Sequence, residues 1–216
     1  MDMHKMGSPV DALELAAATS ARICHDLAGS AGALVGMLEM TGPDGSPDPE
    51  AWALAQDSAR ELAHRLRLFR AAWGEASEIP DLAGLAQGLP RADRIRVEFF
   101  RVGEDAARRR LAASLMMVAA AGLPRGGDIW IGEADDQAGL AVRIEGVRAG
   151  WPAMMGSQLT GLADGAAGVV EPLTAGLAIA WLQARLLGWD IRIASATALV
   201  IQPFTKSLAA PAQSGG

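Results

Sequence analysis

A histidine and an aspartate stand side by side as His25-Asp26, midway along Ala21-Arg22-Ile23-Cys24-His25-Asp26-Leu27-Ala28-Gly29-Ser30. Imidazole is a capable nucleophile near neutral pH, because its reference pKa is about 6.5. One ring nitrogen can attack an acyl phosphate while the other keeps its proton. A neighbouring carboxylate can orient that proton or raise the basicity of the ring. The dipeptide alone also admits an inert reading, an exposed helical histidine with a chance acidic neighbour. His4 and His64 lack an adjacent acid and read as solvated side chains. Cys24 reads as a small core residue. With Cys24 read into the core and no other His nearby, His25 and Asp26 make a poor metal site.

These residues need a helix to present them, and the surrounding pattern supplies one. Ser8-Pro9-Val10-Asp11 reads as a cap, a proline in the first turn and an acid that complements the dipole. Ser20, Cys24, Leu27, Ala31, Leu34 and Leu38 then alternate by four and three, the spacing of a bundle seam, as far as about Met40. His25 follows a seam residue by one, which turns it roughly 100° away from the core line. Its helical neighbours Ala21, Arg22, Ala28 and Gly29 are mostly small. Gly29 and Gly32 each lower helix propensity by about 1 kcal/mol relative to alanine, a loss that close approach of another protein's backbone would explain.

Thr41-Gly42-Pro43-Asp44-Gly45-Ser46-Pro47 breaks the helix, and Asp48-Pro49-Glu50 restarts one. Trp52, Ala55, Ala59, Leu62, Leu66, Phe69 and Trp73 repeat the alternation, Glu61 precedes Arg65 by four residues, and Gly74 ends the run. Residues 8–74 therefore read as an antiparallel helical hairpin. Two helices cannot bury such a seam alone, so a second copy of the chain is expected to complete a homodimeric four-helix bundle.

After about residue 80 the period changes. Leu82–Leu89 reads as a short helix, Arg94–Phe100 as a strand, and Glu104–Ala121 as a buried helix. Gly122–Gly127 reads as a turn, and Asp128–Glu133 with Gly139–Gly146 as a strand pair. Trp151–Ala163 is ambiguous, because Gly156 and Gly161 weaken a helix. Glu171–Leu187 reads as an apolar helix, then Trp189–Ala194 and Ala198–Phe204 as a closing hairpin. That order implies an α+β sandwich over residues 80–206, with helices on one face of a mixed sheet. Residues 207–216 read as a small-residue tail.

Composition sets bounds on partners. Half of the 216 residues are apolar, enough for a substantial core, and the net charge of −6 argues against a general nucleic-acid footprint. A single cysteine forms no internal disulfide and fits a reducing compartment. No long apolar run suggests a membrane span, and no apolar stretch at the N-terminus suggests a signal peptide, so a cytoplasmic protein is expected.

Taken together, Ser20–Leu27, Gly32-Ala33, Asp57-Ser58-Ala59-Arg60, Arg65-Leu66, Phe69-Arg70 and Leu123-Pro124-Arg125-Gly126-Gly127 resemble the ChpT-type histidine phosphotransferases of alphaproteobacteria, in order along nearly the whole chain. The resemblance implies a dimerisation and phosphotransfer bundle followed by a degenerate ATPase-like domain. It implies His25 as phosphoacceptor, Asp26 as its acidic partner, and a relay from the receiver of a hybrid histidine kinase to response regulators. Ala21, Ala28, Gly29 and Gly32 would form the docking floor, beside Arg22, which either stabilises phosphate charge, pairs with the receiver's acidic surface or is an ordinary solvated arginine. Magnesium would belong to the receiver, and this chain would need no cofactor. Where related bundles carry a proline five residues after the histidine, this chain has Ser30, and Gly29 and Ala31 are smaller than the usual occupants.

Kinase-type ATP sites hold magnesium through an asparagine on the helix before the lid, and this chain contains none. The corresponding stretch runs Leu111 to Ala121. Thr174–Ala180 only thinly resembles a glycine-rich phosphate cradle, and Glu145–Gly150 is the nearest counterpart of an adenine-pocket motif. ATP binding is therefore not expected. The competing readings are an ATP-dependent histidine or anti-sigma-type kinase and a non-catalytic adaptor that binds regulators.

Overall fold

The computed structural model describes residues 12–40, 45–46, 48–74, 79, 81–134, 139–164 and 170–203. The expected helix start at residues 8–11, His4 and the tail from residue 207 lie outside them.

Two long antiparallel helices open the fold, α1 (Ala12–Leu38) and α2 (Pro49–Trp73). α2 begins where its cap requires. Asp48 accepts the Ala51 N–H at 3.3 Å, and Pro49 occupies a position that needs no donor. It ends at Gly74, where a Cβ would stand 2.6 Å from the Arg70 carbonyl oxygen.

The seam is only half buried. Leu27, Ala31 and Leu34 of α1 are partly covered, as is Leu62 of α2, and Ala55 and Phe69 are buried. Ser20, Cys24, Leu38, Trp52, Ala59 and Leu66 are exposed. Cys24 is thus not a core residue of this chain, because α2 meets the neighbouring face of α1, where Arg65 reaches Asp26 and Ser30. His64, expected in solvent, is partly covered, since the turn at Gly88 lies against its main chain.

The C-terminal end of α2 is built into the second half of the molecule. Leu68, Ala71 and Ala72 share one core with Leu89, Leu111, Leu115, Met116 and the inward face of the sheet. Ser114 Oγ and Gln183 Nε2 both donate to the Ala72 carbonyl, at 3.1 and 2.7 Å, and so satisfy an acceptor that the helix end leaves free. At Gly88 a Cβ would fall 2.5 Å from the His64 carbonyl oxygen and 2.7 Å from Leu68 Cβ, so only glycine permits this approach.

Beyond α2 come α3 (Leu82–Leu85), continued by 3-10 turns, and β1 (Ile95–Phe100), α4 (Ala106–Ala121), β2 (Gly127–Glu133) and β3 (Leu140–Glu145). α5 (Met155–Asp164), α6 (Ala175–Leu186), β4 (Trp189–Ser195) and β5 (Ala198–Pro203) complete the chain. The sheet order is β1-β2-β3-β5-β4, with β1 and β2 parallel and the other pairs antiparallel. Alternate residues Ile129, Ile131, Leu140, Val142, Ile144, Leu199 and Ile201 are buried on the side that α4 and α6 cover. The opposite side carries Arg96, Glu98, Arg143 and Glu145 in solvent. This is the mixed α+β layering that the alternation implied.

Two segments refine the sequence reading. Residues 155–164 are helical despite two glycines, because Met155, Leu159 and Leu162 form one buried stripe. Residues 171–174, expected in the following helix, form a turn in which Thr174 Oγ1 accepts the Glu171 N–H at 3.0 Å, so α6 starts at Ala175.

Candidate phosphotransfer site

His25 stands on the open side of α1, with 81% of its side chain exposed. Its Nδ1 lies 3.1 Å from Asp26 Oδ1. If Nδ1 carries the proton and donates it to the carboxylate, Nε2 is left with the lone pair. Asp26 itself is mostly covered, 14% exposed, in the groove between α1 and α2. Its second oxygen, Oδ2, accepts from Arg22 Nε at 2.7 Å. One carboxylate thus orients the histidine and holds the arginine one turn earlier.

Arg65 approaches from α2. Its Nη1 donates to the main-chain carbonyl of Asp26 at 2.7 Å and lies 3.5 Å from Ser30 Oγ, while Nη2 donates to Glu61 Oε1 at 2.5 Å. From the spacing alone, Arg65 has only a helical partner in Glu61. The signal for more was its place one turn after the seam residue Leu62, where a solvated charge does not belong.

The expected docking residues share the His25 side of α1. Ala21, Ala28, Gly29 and Gly32 are exposed, and a Cβ built at Gly29 or Gly32 meets no atom within 4 Å. Among the described residues nothing requires those glycines. Arg22 differs from the others, being partly covered and already paired with Asp26. α1 continues as a helix through Ser30. Among the described residues no cluster of three or more His, Cys, Asp or Glu side chains could hold a metal ion.

The stretches compared in the sequence with a kinase-type ATP site make close packing contacts. Residues 111–116 and 118–120 of α4 are buried, and Ser114, its one buried polar residue, is engaged by the Ala72 carbonyl. At the start of α6, a Cβ on Gly176 would stand 3.4 Å from the Trp73 ring of α2. Gly146 faces the Gly126 carbonyl so closely that a Cβ would lie 2.5 Å from it.

The helical hairpin joined to an α+β domain is an architecture shared with a bacterial phosphotransferase. A solved structure of one superposes with a TM-score of 0.69 at 25% identity, over 89% of this chain and 96% of that one. Coverage this broad takes in the hairpin as well as the sheet. A family model described as the histidine phosphotransferase C-terminal domain matches residues 79–198, and the chain belongs to that family. Protein phosphotransferase ChpT of Brucella abortus (strain 2308) is 32% identical over 155 residues, 65% of this chain and 66% of that protein. The aligned part is thus just under two thirds of the relative's length.

Proposed function

We propose that this protein relays phosphoryl groups between receiver domains through His25. The observation that carries the reading is the His25–Asp26 pair, with an exposed ring whose Nδ1 faces a carboxylate held on its other oxygen by Arg22. The Nε2 lone pair attacks the phosphorus of a receiver's aspartyl phosphate. The bond from phosphorus to the aspartyl oxygen breaks, and its electron pair leaves on the receiver's carboxylate. The phosphorylated ring keeps its Nδ1 proton and becomes cationic, and Asp26 stabilises that charge. A second receiver's aspartate reverses the step, taking the phosphoryl group as the N–P bond breaks. Magnesium is assigned to the receiver's own acidic site, and the donor is the receiver of a hybrid kinase.

The chain acts without ATP. The filled α4 and α6 positions and the lack of asparagine support this. It works as a homodimer. Cys24, Val35 and Leu38 of α1 and Trp52, Ala59 and Leu66 of α2 leave a bare apolar stripe on each chain, and a second hairpin of the same kind covers it. No helix among the described residues is long and apolar enough to cross a membrane, and the site of action is the cytoplasm.

The test is transfer from a phosphorylated receiver to wild type and to His25→Ala, beside an incubation with labelled ATP and Mg2+. We expect label on wild type only, and from the receiver only. Robust labelling from ATP would point to a kinase. Regulator binding without any transfer would point to an adaptor.

A further inference from the structure

Arg65 is a charged side chain in a helix–helix interface, 13% exposed. Burying a guanidinium is unfavourable unless its donors are matched, and an apolar residue at such a position is often at least as stabilising. Its acceptor is also unusual. The Asp26 carbonyl lies inside α1, where the helix already supplies it with a backbone donor. The 2.7 Å bond from Arg65 therefore satisfies no orphaned group. It ties α1 to α2 at the residue next to His25. α2 is itself closely packed at this level, where Gly88 lies against His64 and Leu68.

We propose that Arg65 is a positioning residue for phosphotransfer, holding α1 in the rotation that sets the Asp26 carboxylate between His25 and Arg22. The inference rests on His25 being the phosphoacceptor. Glu61, half exposed and bonded to Nη2, keeps the guanidinium in place, and Ser30 Oγ marks the far end of its reach.

Phosphoramidate separates this role from partner docking, because it is a small donor. Nε2 attacks its phosphorus, the P–N bond of the donor breaks, and ammonia leaves. We expect Arg65→Met to keep the melting temperature within a few degrees yet label His25 about tenfold more slowly, the size of one charge-assisted hydrogen bond. The fraction of His25 protonated at Nδ1, read by nitrogen NMR, falls with it. Arg65→Lys, which retains a donor toward the carbonyl, recovers about half of the lost rate on a logarithmic scale. On an Asp26→Asn background, Arg65→Met costs less than about twofold, because the carboxylate it positions is gone. Glu61→Gln, at a half-exposed site that folding tolerates, slows labelling by about two- to fivefold.

Full rates in Arg65→Met, or in both Arg65→Lys and Glu61→Gln should Arg65→Met not fold, would overturn the proposal. So would losses that simply multiply in the double variant. Failure of the underlying reading looks different: wild type would stay unlabelled, or His25→Ala would be labelled equally well.

Discussion

Asp26 serves two neighbours at once. One oxygen faces His25 Nδ1 and the other holds Arg22, so neither side chain is independent of the carboxylate. Asp26→Asn keeps the shape but removes the charge that stabilises a cationic phosphohistidine. A hydrogen bond to a charged group contributes about 1.5–3 kcal/mol, so single-turnover transfer should slow by roughly 10- to 100-fold, with receiver affinity little changed in titration. The exposure of His25 was legible from its offset of one residue from the seam. Arg65 was not, because Glu61 already gave it a partner within its own helix and the carbonyl of another helix leaves no trace in sequence. Cys24 was misplaced for a related reason: the seam spacing marks a packed face, but within this chain α2 meets the neighbouring face of α1 and leaves Cys24 exposed.

At the scale of the elements, caps and periods did most of the work. Asp48-Pro49 and Gly74 bound α2 where the sequence placed its ends, and the strand alternation located β1 to β5 within about two residues. The start of α6 was missed because the Thr174 hydroxyl closes a local turn at Glu171, a bond that competes with helix and leaves the apolar pattern unchanged. Gly29 and Gly32 offer an element-scale test. A methyl group at either meets no atom within 4 Å, so Gly29→Ala should stabilise α1 by about 1 kcal/mol, visible as a higher melting temperature. If these glycines are the floor on which a receiver sits, the same substitution should weaken receiver binding by several-fold. Stabilisation with unchanged binding would remove Gly29 from the docking surface.

For the whole molecule, the hairpin and the sheet share a core. Leu68, Ala71 and Ala72 of α2 lie among the residues of α4 and the sheet, and the Ala72 carbonyl is held by two side chains from the second half. Thermal unfolding should therefore be one transition for both parts. Leu68→Ala, at a fully buried position, should lower it by about 2–5 kcal/mol for probes in either half. The alternation of strands and helices announced the sandwich, but nothing in it revealed how firmly α2 is built in. That depends on close approaches such as Gly88 to His64, which bring distant segments together. The bare stripe of Trp52, Ala59 and Leu66 makes a further prediction. Leu66→Glu places a charge at the expected centre of the bundle and should halve the mass seen by sedimentation, while leaving the fold of each chain intact by circular dichroism.

The central claim is that Nε2 of His25 carries the phosphoryl group. Phosphorus–nitrogen NMR on the protein phosphorylated by a receiver reads that bond directly. The account predicts coupling to Nε2 of His25, with a proton retained on Nδ1. A phosphoryl group on Nδ1, on His64 or on a carboxylate would contradict it.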